Sequence, residues 1–436
     1  MANFSVLHKG IKELQSRLVF VLVAVVVFRV GIHIPIPGVD LEQVAGIFSQ
    51  SKMNTILGYF DLFTGGAMSN MSIFTLGVMP YVTSSIAIQL LSYSIPVLQD
   101  LRKQGESGRQ VMSQYTRYLT VILSVFQGFT FTQLLLSKNM ILIPSLTFAY
   151  YSILTLTTGT MFLMWLGDQV TRYGVGNGVS LILFSGIVSR FPEALTRLLS
   201  QARIGQVQTI TLFLVAALVL AVIHFVVYME RGQRQLNLTY PKRQHTGKQL
   251  PQNSSKLPLK INMVSVMPPI IAQTLIIFPM MISDFLARSG YVPALQYVSM
   301  HFQPGEPLYI ISFISLVVFF AFYMTSIMFS SDEIAEQLKK GGALIGGIRP
   351  GKSTAQYIDK VITKLTLFGG LYLAFVALLP DIVIRLLNVP LPFGGTSLLI
   401  SVVIVIEFMA QVQTYLLPGH VESMRGKSAK KLKLLH

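Results

Sequence analysis

Gly346-Gly-Ile-Arg-Pro-Gly-Lys-Ser353 satisfies the G-x-x-x-x-G-K-[ST] pattern of a phosphate-binding loop. Such a loop needs a buried strand before it, a helix after it, and backbone N–H groups lining the curve between. Pro350 removes one of those N–H groups, and the motif lies in a connection of about 35 residues between two apolar runs, so nucleotide chemistry is set aside. Paired-aspartate proteolysis has one candidate, Asp168 behind Gly167. Trp165 stands where that chemistry wants a second glycine, Pro293-Ala294-Leu295 supplies only a fragment of the other half, and no second aspartate lies in an apolar run to share a proton. H-E-x-x-H and G-x-S-x-G are missing. Cysteine is absent, which excludes thiolate nucleophiles, sulfur-ligated metals and disulfide staples. The expectation is a chain that is not an enzyme and carries no metal or cofactor.

Ionisable residues inside apolar runs are functional suspects. Here they are Arg29, His224 and Glu407, with Asp168 and Asp284 near run ends. Arg29 and His224 are close enough to ends to reach the interface or cap a helix. Glu407 is the residue on which a rival reading, a secondary transporter for a small solute, would rest; an interhelical hydrogen bond or a water-filled vestibule explains it equally simply.

The elements that must position these residues are membrane spans. With 52% hydrophobic and 12% charged residues and a mean hydropathy of +0.61, the chain is too apolar for a soluble domain. The expected fold is an all-α polytopic membrane protein. Ten spans are predicted, approximately at 18–34, 73–95, 116–136, 148–167, 178–191, 207–229, 263–283, 308–329, 362–380 and 396–417. The first leads into Ile34-Pro35-Ile36-Pro37-Gly38 rather than a small-residue cleavage site, so it is read as a span and not a removable signal. If the N-terminus is cytoplasmic, loops on that side hold about 26 of the 34 Lys and Arg residues, which sets the orientation and places both termini inside.

Ser72 to Leu91 is the stretch around which the rest is arranged. It is apolar yet contains Gly77 and Pro80, which read as a break inside the second span. Val266-Met267-Pro268 in the seventh repeats Val78-Met79-Pro80. Interrupted spans at matching places in two halves point to a midplane site. Five spans per half make the halves inverted repeats around a central pore: 1–190 with spans 1–5, a hinge loop at 191–206, and 207–417 with spans 6–10. The glycine-rich stretch Gly58 to Asn70 is a short and marginal helix that should be easily displaced; it reads equally as an ordinary re-entrant or interfacial turn and as a movable stopper. Val78 and Val82, four apart, share a face, and Val266 and Ile270 are their repeat equivalents. Such branched apolar residues can seal a pore by dewetting, or simply pack. Thr83, Ser84, Ser85 and Gln89 in one span and Ser265, Gln273 and Thr274 in the other could form a seam that parts more easily than a wholly apolar one.

Two long loops, 230–262 and 330–361, and a tail at 418–436 are basic. Arg243 and Lys248 in the first and Lys339 and Lys340 in the second are candidate partner-binding residues. Such loops suit anionic lipid headgroups, and equally an acidic partner or RNA phosphate.

Six ordered motifs, Ser72 to Leu91, Gly167-Asp-Gln-Val-Thr-Arg-Tyr-Gly-Val-Gly-Asn-Gly178, Glu230-Arg-Gly-Gln-Arg234, Gly347-Ile-Arg-Pro-Gly351, Tyr357-Ile-Asp-Lys360 and Phe393-Gly-Gly-Thr-Ser-Leu-Leu-Ile400, together resemble the bacterial SecY family. The likeness runs from about Arg17 to Tyr415. It implies the pore subunit of a translocon in the bacterial inner membrane, which passes unfolded secretory proteins and releases apolar segments into lipid. It implies a pore ring at Val78, Val82, Val179, Leu183, Ile270 and Ile400. It also implies a plug at about 57–71 containing Gly58, Phe60, Phe63, Gly65 and Gly66, a lateral gate of spans 2 and 7, and an essential Arg349. The implied partners are SecE, SecG, the ATPase SecA, the ribosome, preproteins and their signal sequences. At Ser331-Asp332-Glu333 and Gly247-Lys248 the chain departs from relatives that carry basic residues there.

Overall fold

The computed structural model describes residues 2–41, 43, 61, 63–137, 140–205, 208–239, 255–288, 305–387 and 394–433. Its contacts divide the chain into two compact units, 1–207 with 390–436, and 208–389. These do not coincide with the halves drawn from the repeat, because the last helix packs along the first and along the one at 178–189, within the first unit.

The first unit contains α1 (Ala2–Ile32), α2 (Met79–Ser94), α3 (Pro96–Lys103), α4 (Glu106–Ser137), α5 (Ser145–Tyr173), α6 (Gly178–Ser189), α7 (Phe191–Arg203) and α13 (Gly395–Lys433). The second contains α8 (Thr209–Arg231), β1 (Gln233–Thr239), β2 (Ser255–Lys260), α9 (Met267–Arg288), α10 (Pro307–Met328), α11 (Ser331–Lys340), β3 (Leu344–Ile345) and α12 (Lys352–Leu387). Among the described residues eight helices are long and apolar enough to cross a bilayer. There are nine if α2 and α3, bent by 103° at Ile95, count as one span; the apolar part of α9 is the shorter Met267–Ile276. Helices such as α1, α4 and α12 extend beyond the predicted spans. Hydropathy marks only the part a bilayer could hold, whereas the polar ends continue as helix through pairs such as Arg17 with Glu13 at 3.0 Å.

Three local readings are corrected. Residues 72–78 are turns, not the start of a span, and Pro80 sits in the first turn of α2, where a missing N–H is harmless. Residues 191–203, read as a loop, are helix α7, with Pro192 in its first turn and Glu193 near its positive end. The two basic loops contain a three-stranded antiparallel sheet in the order β2-β1-β3.

That sheet follows from alternation in Gln-Arg-Gln-Leu-Asn-Leu-Thr: Leu236 and Leu238 face inward while Arg234 and Gln235 are exposed. Leu236 pairs with Leu257 and Leu238 with Ile345. Ala343, Ile345, Leu259, Ile358 and Ile362 complete one apolar core with them.

Candidate functional site

Residues 33–40 and 63–78, between α1 and α2, are folded into their unit rather than hung from it. Ile36 N–H donates to Met71 O at 2.7 Å and Ile73 N–H to Ile34 O at 3.0 Å, a short antiparallel bridge that returns the chain beside its own exit from α1. Phe74 then stacks between Phe28 (centroids 6.1 Å) and Phe162 (5.9 Å). Gly31 is the residue that admits it, since a Cβ there would lie 1.9 Å from the Phe74 ring. Gly58 and Phe60 of the predicted plug lie outside the described residues. Phe63, Gly65 and Gly66 are buried. Gly65, at φ +69°, lies so close to Gly186 of α6 that a Cβ would stand 2.7 Å from its Cα.

One contact here has no counterpart in the sequence reading. Arg190, between α6 and α7, donates to the carboxylate of Asp61 and to Ser69 Oγ at 2.6 Å. The Ser69 N–H donates to Asp61 Oδ1 at 2.8 Å. Burial pushes the Asp61 carboxyl above the usual carboxylate range, with Arg190 and Ser69 pulling against that rise. The signal that could have found the pair is a lone acid and a lone base, each set in an apolar neighbourhood.

The ring candidates distribute over both units. Val78 caps α2, and the Val82 N–H reaches back to Val78 O at 3.0 Å, so the two do share a face. Val179 and Leu183 lie on α6 and Ile400 on α13, helices that pack together; Leu183 and Ile400 are buried and Val179 half-buried. The close α5–α6 turn that aims α6 depends on glycine: a Cβ on Gly178 would lie 2.0 Å from Gly167 O. Thr171 Oγ1 accepts from the Gly178 N–H at 2.9 Å, and Asn177 caps the helix. Ile270 belongs to the second unit.

In that unit the start of α9 repeats the start of α2 in detail. Ser265 has φ +58° where Gly77 has φ +57°, each one residue before Val-Met-Pro. Ile270 N–H bonds to Val266 O at 3.4 Å as Val82 bonds to Val78. A serine in the left-handed region needs support. Asn262 Nδ2 supplies it, donating to Ser265 O at 3.1 Å and to Glu230 Oε1 at 2.6 Å. Tyr372 OH is 3.5 Å from the same carboxylate oxygen.

Three hydroxyls of the proposed seam are turned onto their own helices. Thr83 donates to Met79 O at 2.9 Å, Ser84 to Pro80 O at 2.7 Å and Thr274 to Ile270 O at 2.8 Å. These hydroxyls need no partner on another helix. Gln273 is buried, while Gln89 and Ser265 are half-buried.

Of the docking candidates, Arg243 and Lys248 lie outside the described residues. Lys339, Lys340 and Arg349 are exposed, as are Arg234, Lys256, Lys260, Lys352 and Lys360 on or beside the sheet. The phosphate-loop look-alike is an open turn, with Gly347 at φ +79° and Gly351 at φ +106°, preceded by a two-residue strand at the edge of the sheet rather than a central one.

Residues 72–409 match the family model named SecY. The chain is 45% identical over 430 residues to the protein translocase subunit SecY of Escherichia coli strain K12, covering 98% of this chain and 97% of the relative. It is 45% identical over 431 residues to that of Vibrio cholerae serotype O1, covering 98% and 97%. Among solved structures it is similar in fold to one described as a protein conducting channel, with TM-score 0.65, 18% identity and 92% of each chain covered. It is also similar in fold to Sec61 in a canine ribosome–channel complex from the endoplasmic reticulum, with TM-score 0.60, 18% identity and 92% of each chain covered.

Proposed function

The chain belongs to the SecY family, and on that premise we propose that it is the channel through which unfolded secretory proteins cross the bacterial inner membrane and from which apolar segments pass sideways into lipid. The observation that carries this reading is the packed segment 63–78 together with Asp61. A glycine-rich stretch between two spans is buried within its unit, as a stopper must be; backbone bonds anchor its far end at residues 71–73 beside α1, whereas Asp61 and Ser69 are tied to Arg190 by side-chain contacts that can break without unfolding a span. An ion-coupled carrier built on Glu407 is not favoured, because the relatives are protein translocase subunits.

In this reading Val78, Val82, Val179, Leu183, Ile270 and Ile400 form the constriction, excluding ions by refusing to be wetted. Residues from about 57 to 71 are the plug. A signal sequence engages α2 and α9 as lateral gate helices, exchanging a watery surface for lipid at about 25 cal/mol per Å² of apolar area. The backward-bonded hydroxyls of Thr83, Ser84 and Thr274 keep the cost of parting small.

The energy for transport comes from outside the chain, from SecA or a translating ribosome. SecE and SecG complete the channel. Arg349 and the exposed lysines of the sheet-bearing loops, with Lys339, Lys340, Arg243 and Lys248, serve as docking residues for partners and for anionic lipid headgroups. Both termini are cytoplasmic. The test is reconstitution of the chain with SecE in liposomes, adding SecA and a preprotein. ATP-dependent protection of the preprotein from protease is expected, and its absence from a correctly folded complex would overturn the proposal.

A further inference from the structure

Resting on the reading of residues 57–71 as a plug, we propose that Arg190 is its latch: the guanidinium ties the 61–69 turn to the end of α6, and the plug leaves only when that tie breaks. Arg190 is a good fixed post. Its backbone is the junction of two helices, and its N–H bonds to Ile187 O at 3.2 Å. Its side chain is 16% exposed and that of Asp61 is 12% exposed. Asp61 in turn organises the whole turn. Its carboxylate accepts from the Ser69 N–H, and its carbonyl accepts from the Gly66 N–H at 3.0 Å and Thr64 Oγ1 at 3.3 Å. Grasping Asp61 and Ser69 therefore grasps residues 61–69 as a unit.

Among the described residues the other polar ties from neighbouring helices to this turn are longer, Arg29 Nη1 to Gly65 O at 3.4 Å and Ser189 Oγ to Gly65 O at 3.5 Å, while Ala67 O accepts from the Ser72 N–H at 2.9 Å and from Thr75 Oγ1 at 3.2 Å within the segment itself. Two features make the tie reversible. The Arg190 Nε–H is buried with no hydrogen-bond partner among the described residues, so the guanidinium is not fully satisfied where it is. Its Nη1 already holds Glu193, whose side chain is 44% exposed, at 2.5 Å, so release of Asp61 leaves the cation paired at the solvent edge. Gly66, at φ +92°, is part of the device: a Cβ there would lie 2.5 Å from the guanidinium.

The test is ion efflux from liposomes containing the full chain in the complex with which it is purified, comparing Arg190→Gln, Asp61→Asn, the double variant, Arg190→Lys and a deletion of residues 60–68. Each single neutralisation should raise the resting leak about tenfold or more, the loss of a hydrogen bond to a charged group. The double variant should leak no more than the worse single, because removing both members leaves no uncompensated buried charge. Arg190→Lys should fall between wild type and Arg190→Gln. If Arg190→Gln does not fold, Ser69→Ala removes one arm of the tie without altering any charge and should raise the leak in the same direction. A raised leak on deletion with unchanged leak in the single variants would overturn the latch and leave the plug standing. An unchanged leak on deletion would overturn the plug reading itself, and effects that multiply in the double variant would show that Asp61 and Arg190 act independently, against the latch.

Discussion

The start of α9 offers a prediction in which backbone strain and a hydrogen bond are opposed. Ser265 holds φ +58°, a conformation that costs a non-glycine residue about 1–2 kcal/mol. Asn262, 6% exposed, counters this with a hydrogen bond to Ser265 O and a second to the Glu230 carboxylate at 2.6 Å. Bonds to charged groups contribute about 1.5–3 kcal/mol. Asn262→Ala should therefore free the turn and speed amide exchange at residues 264–270 by about tenfold or more, with the spans unaffected. Ser265→Gly removes the left-handed penalty but adds chain entropy of about 0.5–1 kcal/mol. It should leave exchange unchanged or slightly slowed, and should recover part of the loss when combined with Asn262→Ala. Hydrogen exchange by mass spectrometry reads this directly. If Ser265→Gly loosened the turn as much as Asn262→Ala, the strain would not be where the geometry puts it and the reasoning would fail.

Other expectations follow from the same contacts. Gly31→Ala drives a methyl into Phe74 and Gly159→Ala drives one to 2.0 Å from Ile73 O; each should destabilise by about 1–3 kcal/mol, measured as a lower unfolding temperature in detergent. Leu238→Ala opens a void in the core that the sheet shares with α12 and should cost about 2–5 kcal/mol. Exchange should rise in β1 to β3 but not in the spans, and partner-driven export should fall. Arg349→Glu should impair export without altering thermal unfolding, since the side chain is exposed; unimpaired export would remove Arg349 from the docking surface.

Class and most span positions, though not those of the second and seventh, were legible because hydropathy is a local sum: any window of about twenty residues carries its own transfer free energy, whatever the rest of the chain does. The Val-Met-Pro echo was legible for the same reason, and the structure gives both copies the same positive-φ residue just before them. Their position was misjudged. Pro80 looked like a break within a helix because a proline's preference is the same at a helix start as at a break, and only the turns at 72–78 distinguish the two. The sheet was missed because Gln233–Thr239 alternates over too few residues to stand out, and its partners β2 and β3 are separated from it in sequence. Above all, Asp61 and Arg190 are 129 residues apart. Composition can say that each charge is costly alone in an apolar setting, but which residue relieves which is decided by the tertiary fold, because an ion pair is a matter of distance in space and the chain encodes distance only along itself.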